Sequence, residues 1–124
     1  MTTIAGRLRD ILLALKKQFG MASDLDRLIP YVAFEKDLTR DQLNNLFVTY
    51  PARVPEDYRS ALVIEIQKTI RRYWHYCQSK PTPTSRAKIK ASIIFLEEVV
   101  RRGFEGCILT PDKVVGFRLE LKSK

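Results

Sequence analysis

Seven lysines and arginines fall between Lys68 and Lys90, in the stretch KTIRRYWHYCQSKPTPTSRAKIK, with four ring-bearing residues, Tyr73 to Tyr76, in its middle. The 31 residues between Glu65 and Glu97 hold no acid, so this window supplies seven of the eight net positive charges and leaves the remainder of the chain near neutral. Clustered like charge is unfavourable for folding unless a counter-charge absorbs it, which points to nucleic acid, an anionic surface or an acidic protein. The candidate binding residues are Lys68, Arg71, Arg72 and His75 in one segment, and Lys80, Arg86, Lys88 and Lys90 in the next.

Other chemistry is poorly supplied. The single His75 has no serine or cysteine partner in a recognisable motif, and no glycine-rich phosphate loop, HExxH pair or nucleophile elbow occurs. The acid pairs Glu56-Asp57 and Glu97-Glu98 are adjacent in sequence, so on a helix they diverge and cannot share acid and base roles. Two cysteines, Cys77 and Cys107, are too few and too far apart for a zinc site or a disulfide framework, and buried free thiols are expected. The reading is a protein that is not an enzyme and needs no cofactor or metal.

The elements that position the basic residues follow from spacing. Ile4, Leu8, Ile11, Leu12, Leu15 and Phe19 recur at helical intervals and Gly20 offers a stop. Ser23 can cap a shorter element carrying Leu25, Leu28, Ile29 and Val32, which Pro30 should bend or divide. Thr39 to Gln42 has the form of a capping box, opening a helix through Leu43, Leu46 and Phe47 that finishes near Pro51. The longest helix is expected from Pro55, with Glu56 and Asp57 in its first turn, to about Cys77. Leu62, Val63, Ile66, Ile70, Tyr73, Trp74 and Cys77 then share one side, and Lys68, Arg71, Arg72 and His75 project nearly opposite.

A stiff SKPTPTS connector should lead to a further helix capped by Thr84 or Ser85. Its Ile89, Ser92, Ile93, Leu96 and Val100 share a face, and it ends at Arg101, Arg102 and Gly103. Ala87, Ala91 and Ile94 form a second apolar strip, so the helix should pack on two sides. In the C-terminal VVGFRLEL, apolar residues alternate as in a half-buried strand, and Thr110-Pro111-Asp112 can supply a turn after a short Cys107 to Leu109 strand. The expected fold is mainly α: one domain over 1–124, about five helices, with a terminal hairpin in 103–124. No apolar run approaches the roughly 20 residues needed to cross a bilayer, and a cytoplasmic, membrane-free protein is expected.

In overall character from Thr3 to Gly103, the chain resembles the small subunit of CRISPR interference complexes: small, helical, basic, with no catalytic residues and with two-sided helices. The terminal VVGFRLEL departs from a purely helical bundle. The resemblance implies a non-catalytic RNA- or DNA-binding subunit of a ribonucleoprotein in antiviral defence. Lys68, Arg71, Arg72, Arg86, Lys88 and Lys90 would face a single strand or guide-target hybrid. Ala87, Ala91 and Ile94 would meet another subunit or a further copy. The opening Met-Thr-Thr, running directly into a helix, would suit internal initiation within a larger gene. Two other readings stand beside it. Thr39 to Phe47 followed by the next helix has a helix-turn-helix flavour, though PARVP is long for the turn, and a structural adaptor could use the basic face for an acidic protein.

Overall fold

The computed structural model describes residues 3–32, 38–49, 58–77, 80–103, 105–112 and 116–122. Among these, the order is α1 (Ile4–Phe19), α2 (Ala22–Leu25), α3 (Ile29–Val32), α4 (Arg40–Thr49), α5 (Tyr58–Tyr76), α6 (Pro83–Arg102), β1 (Cys107–Asp112) and β2 (Gly116–Leu121). The fold is mainly α with a C-terminal two-stranded antiparallel sheet, as the patterning predicts.

Helix α1 starts where Thr3, with extended backbone, accepts the Gly6 N–H on its hydroxyl at 3.0 Å. It stops at Gly20, whose positive φ of 63° is a conformation that residues with a Cβ rarely adopt. Leu8, Ile11, Leu12 and Leu15 are its buried stripe. Pro30 sits in the second position of α3, and the apolar segment expected there is divided into two single-turn helices. Ser23 does not cap it: Ser23 lies inside α2, and the N-cap is Met21, which makes no side-chain capping bond. The capping box at α4 forms as its residues predict, the Gln42 N–H donating to Thr39 Oγ1 at 3.1 Å and the Thr39 N–H to Gln42 Oε1 at 3.0 Å. The same Gln42 amide donates to the Tyr31 hydroxyl at 3.0 Å, joining α4 to α3. The expected boundaries at Pro51 and Pro55, with Glu56 and Asp57, lie outside the described residues.

Helix α5 is the centre of the molecule, packed by α4, α6 and both strands. From Ala61 to Ile70 it is buried on most sides: Ala61, Val63 and Ile64 as well as Leu62, Ile66 and Ile70, with Gln67 and Thr69 among them, while Glu65 and Lys68 keep partial exposure. That corrects the one-sided face read from periodicity. Enclosure from several directions erases the polar stripe that a surface helix would carry. The Thr69 hydroxyl is satisfied by donating to the Glu65 carbonyl at 2.8 Å. Beyond Ile70 the helix emerges, leaving Arg71, His75 and Cys77 exposed. Cys77 is therefore not the buried thiol expected, whereas Cys107 is buried, and that burial pushes its thiol pKa up.

Helix α6 returns along both α5 and α1 with Ile89, Ile93, Leu96 and Val99 in the core. Val99 rather than the expected Val100 is the fully buried residue of its last turn, with Val100 half-buried beside it. Its N-cap is Thr82, two or three residues earlier than the expected Thr84 or Ser85. Pro83 occupies the first turn, where its missing N–H costs no hydrogen bond. The helix ends at Gly103, φ 58°, whose N–H donates to the Val99 carbonyl at 2.9 Å. The adjacent acids are not merely solvated. Glu97 is bound by the Arg7 guanidinium across to α1, and Glu98 accepts from Arg101 and from Arg102, the latter at 2.6 Å. Those two guanidinium groups hold the Glu98 carboxyl down at about 2.

The strand register pairs Cys107 with Leu121 and Leu109 with Leu119, extending to Asp112 opposite Gly116. Thr110-Pro111-Asp112 is thus part of β1 instead of the turn expected from its composition. Proline is tolerated here because a two-stranded sheet has only edge strands. Cys107 and Leu119 are buried, and Ile108 points outward, 41% exposed. The sheet packs on α5, which supplies the burial that an isolated hairpin lacks.

Candidate nucleic-acid interface

The emergence of α5 from the core and the start of α6 lie side by side and flank an open cavity of about 690 Å³. From α5 come Lys68, Arg71, Arg72 and His75; the connector adds Lys80; and the first turns of α6 add Lys88 with the hydroxyls of Thr82, Thr84 and Ser85. Six of the eight residues singled out by charge pattern converge here. No carboxylate is among the described residues that line it. Five lysines and arginines face one hollow, and two like charges about 10 Å apart repel by about 0.4 kcal/mol in water, or about 1.7 kcal/mol at an effective dielectric of 20.

These cations are not equivalent. Lys68 is partly buried and its Nζ lies 3.5 Å from Glu65 Oε1, so one lining charge has a carboxylate partner behind it. Arg72 is half-buried and donates from Nη1 to the Ser92 hydroxyl, which is buried in α6. This corrects its expected place on the solvent face opposite the core. Arg72 lies in the α5–α6 joint, because α6 packs against the side of α5 that the helical wheel alone leaves open. Arg71, His75, Lys80 and Lys88 are exposed in the lining.

Arg86 and Lys90 do not reach this cavity. They stand two residues to either side of Lys88, about 160° round α6 from it at 3.6 residues per turn. Both are exposed, on the outer side with Ala87, Ala91 and Ile94, the last 60% exposed. The second apolar strip of α6 is consequently uncovered within the chain. The basic window is split by the helix into an inner set and an outer pair.

The three hydroxyl residues were not among those singled out. Thr82-Pro83 carried the signal, since a threonine immediately before a proline is a favoured start of a helix. The Thr82 hydroxyl accepts the Ser85 N–H at 3.1 Å, and the Ser85 hydroxyl donates to the Thr82 carbonyl at 2.9 Å. The cavity thereby opens at a rigid helix N-terminus, whose dipole favours an anion.

No phenylalanine, tyrosine or tryptophan is among the described lining residues, and the one ring there is the imidazole of His75. Trp74 turns the other way, its Nε1–H donating to the Leu38 carbonyl at 3.0 Å, with His75 edge-on at 5.2 Å between ring centroids. Tyr73 is buried, and desolvation raises its phenol pKa above the ordinary value, helped by its contact with Cys77. Tyr76 is half-buried against the core.

No protein-family model matches the chain, and neither a curated protein nor a solved structure does. No described helix is long and apolar enough to cross a membrane.

Proposed function

We propose that this chain is a non-catalytic nucleic-acid-binding subunit of a larger ribonucleoprotein in the cytoplasm. In this reading it holds a strand in the cavity between the C-terminal half of α5 and the first turns of α6. The observation that supports the reading is the convergence of Lys68, Arg71, Arg72, His75, Lys80 and Lys88 on one hollow with helix-start hydroxyls and no carboxylate among the described lining. Polyanion binding relieves the mutual repulsion of those charges, and phosphate oxygens accept from guanidinium, ammonium and hydroxyl donors alike. On its helical and basic character, the assembly is one of the CRISPR interference type. The uncovered Ala87, Ala91 and Ile94 would then face a neighbouring subunit.

A groove-reading role for α5 is less well supported. Between Ala61 and Ile70 that helix is buried except at Glu65 and Lys68, which leaves no continuous face there for a DNA major groove. An adaptor for an acidic protein would use the same cations but not the same salt law.

The test is fluorescence anisotropy of a labelled generic oligonucleotide, as DNA and as RNA, titrated with the protein from 50 to 300 mM salt. Binding that weakens linearly in log-log form, with little dependence on sequence, is the expected result. A flat salt response sinks the reading.

A further inference from the structure

We infer that the cavity takes a short single-stranded segment of about three phosphates, backbone inward and bases outward, and does not continue onto the outer face of α6. This rests on the nucleic-acid reading above and specifies its ligand.

The length follows from helix geometry. Lys68 to His75 spans seven residues of α5 and Thr82 to Lys88 spans six of α6, so at 1.5 Å per residue the cationic floor is about 10 Å long. A stacked strand advances about 3.4 Å per nucleotide, which lays about three phosphates along that floor. The charge agrees. Five lining lysines and arginines, one of them already paired with Glu65, leave four positive charges, enough to neutralise three phosphodiesters.

The orientation follows from the kinds of donor. Every polar group in the lining suits phosphate or sugar oxygens: ammonium, guanidinium, hydroxyl and imidazole. Sequence-tolerant binding of bases uses exposed aromatic platforms. The described lining has no phenyl, phenol or indole ring, since Trp74 is committed to Leu38 and Tyr73 is buried, and its single imidazole, His75, stands edge-on to Trp74. One imidazole is no platform for successive bases, which therefore turn outward.

The limit at α6 follows from its helical register. A strand that used Arg86 and Lys90 as well would have to wrap around α6, past the uncharged strip of Ala87, Ala91 and Ile94. The outer pair thus belongs to a different contact.

The experiment is a length series of labelled oligothymidylates from two to twelve nucleotides, measured against salt with the unaltered chain. Affinity should climb steeply to about three or four nucleotides and then gain only the statistical factor of more registers. The log-log salt slope should settle near −2, about −0.7 for each of three phosphates, at every longer length. An abasic strand of six phosphates should bind within about threefold of oligothymidylate, because stacking, worth about 1–3 kcal/mol per base where it occurs, is absent. Arg86→Ala with Lys90→Ala should leave the slope unchanged, whereas Arg71→Ala with Lys88→Ala should flatten it by about 1.4. Slopes that steepen with length to −4 or beyond, or that shrink in the outer-pair variant, overturn the limit to three phosphates. A loss of tenfold or more with the abasic strand overturns the orientation. Failure to bind any length at low salt overturns the nucleic-acid reading itself, and this inference with it.

Discussion

The Arg72 guanidinium, from the exposed end of α5, donates a hydrogen bond to the buried Ser92 hydroxyl of α6. One of the cavity's cations is thereby also a fastener between the two helices that form its walls. Ser92 lies on the core face of α6 between Ile89, Ile93 and Leu96, and without a donor its hydroxyl would be a buried polar group lacking part of its hydration.

Arg72→Ala should accordingly lower stability by about 1.5–3 kcal/mol, the range for a hydrogen bond with a charged partner. Arg71→Ala, at an exposed position, should cost less, within about 1 kcal/mol of the parent. Urea unfolding of Arg72→Ala, Ser92→Ala and the double variant measures the coupling. Strict additivity would show that the bond contributes nothing to folding. This sets a limit on any test of binding, since removal of Arg72 changes the walls of the cavity as well as its charge.

Thr82→Ala should cost about 1 kcal/mol through loss of the bond to the Ser85 N–H. Thr3→Ala at the start of α1, which loses the equivalent bond to Gly6, should cost a similar amount without any effect on an anion in the cavity. Thr82→Ser should restore most of the stability. Equal midpoints in urea for the Thr82→Ala variant and the parent would show that the cap is not stabilising.

Glu98 carries an acid dependence. Its folded-state pKa of about 2 lies below the ordinary 4.5, so its pairing with Arg101 and Arg102 stabilises the fold in full above the unfolded value. That contribution is lost as pH falls from about 4.5 towards 2, because the unfolded chain then takes up the proton more readily. In thermal melts, the gap between the parent and Glu98→Gln should be widest near neutral pH, close as the medium is acidified, and narrow with added salt because the group is partly open to solvent. A gap independent of pH from 7 to 2 would refute the assignment.

Gln67 is 1% exposed, and its Nε2 has no hydrogen-bond partner among the described residues. Replacing it by the similarly shaped Met should be neutral or stabilising, since a buried donor without a partner carries a desolvation penalty of about 1–3 kcal/mol. Loss of more than about 2 kcal/mol in urea unfolding of Gln67→Met would mean that the amide supports the core after all.

What the sequence by itself determined is whatever a few neighbouring residues decide together. The α1 stripe of Leu8, Ile11, Leu12 and Leu15, the reciprocal box of Thr39 and Gln42, the left-handed stops at Gly20 and Gly103 and the acid-free window from Lys68 to Lys90 all depend on groups within about one helical turn, or on composition alone. The alternation of Leu119 and Leu121 likewise announced a strand, although the reach of β1 through Pro111 depends on what β2 offers across from it. Tertiary structure decided how many sides of α5 are covered, because that number is the number of elements that come back to it. It also decided which cations share a hollow. Lys88 faces Arg71 and His75 across the cavity while Arg86 and Lys90 face away, and only the angle at which α6 seats Ile89, Ile93 and Leu96 in the core sets that division. Local pattern could say that the segment was basic and helical. The rotation of one helix against another is set by long-range packing, and it turned one basic stretch into two separate surfaces.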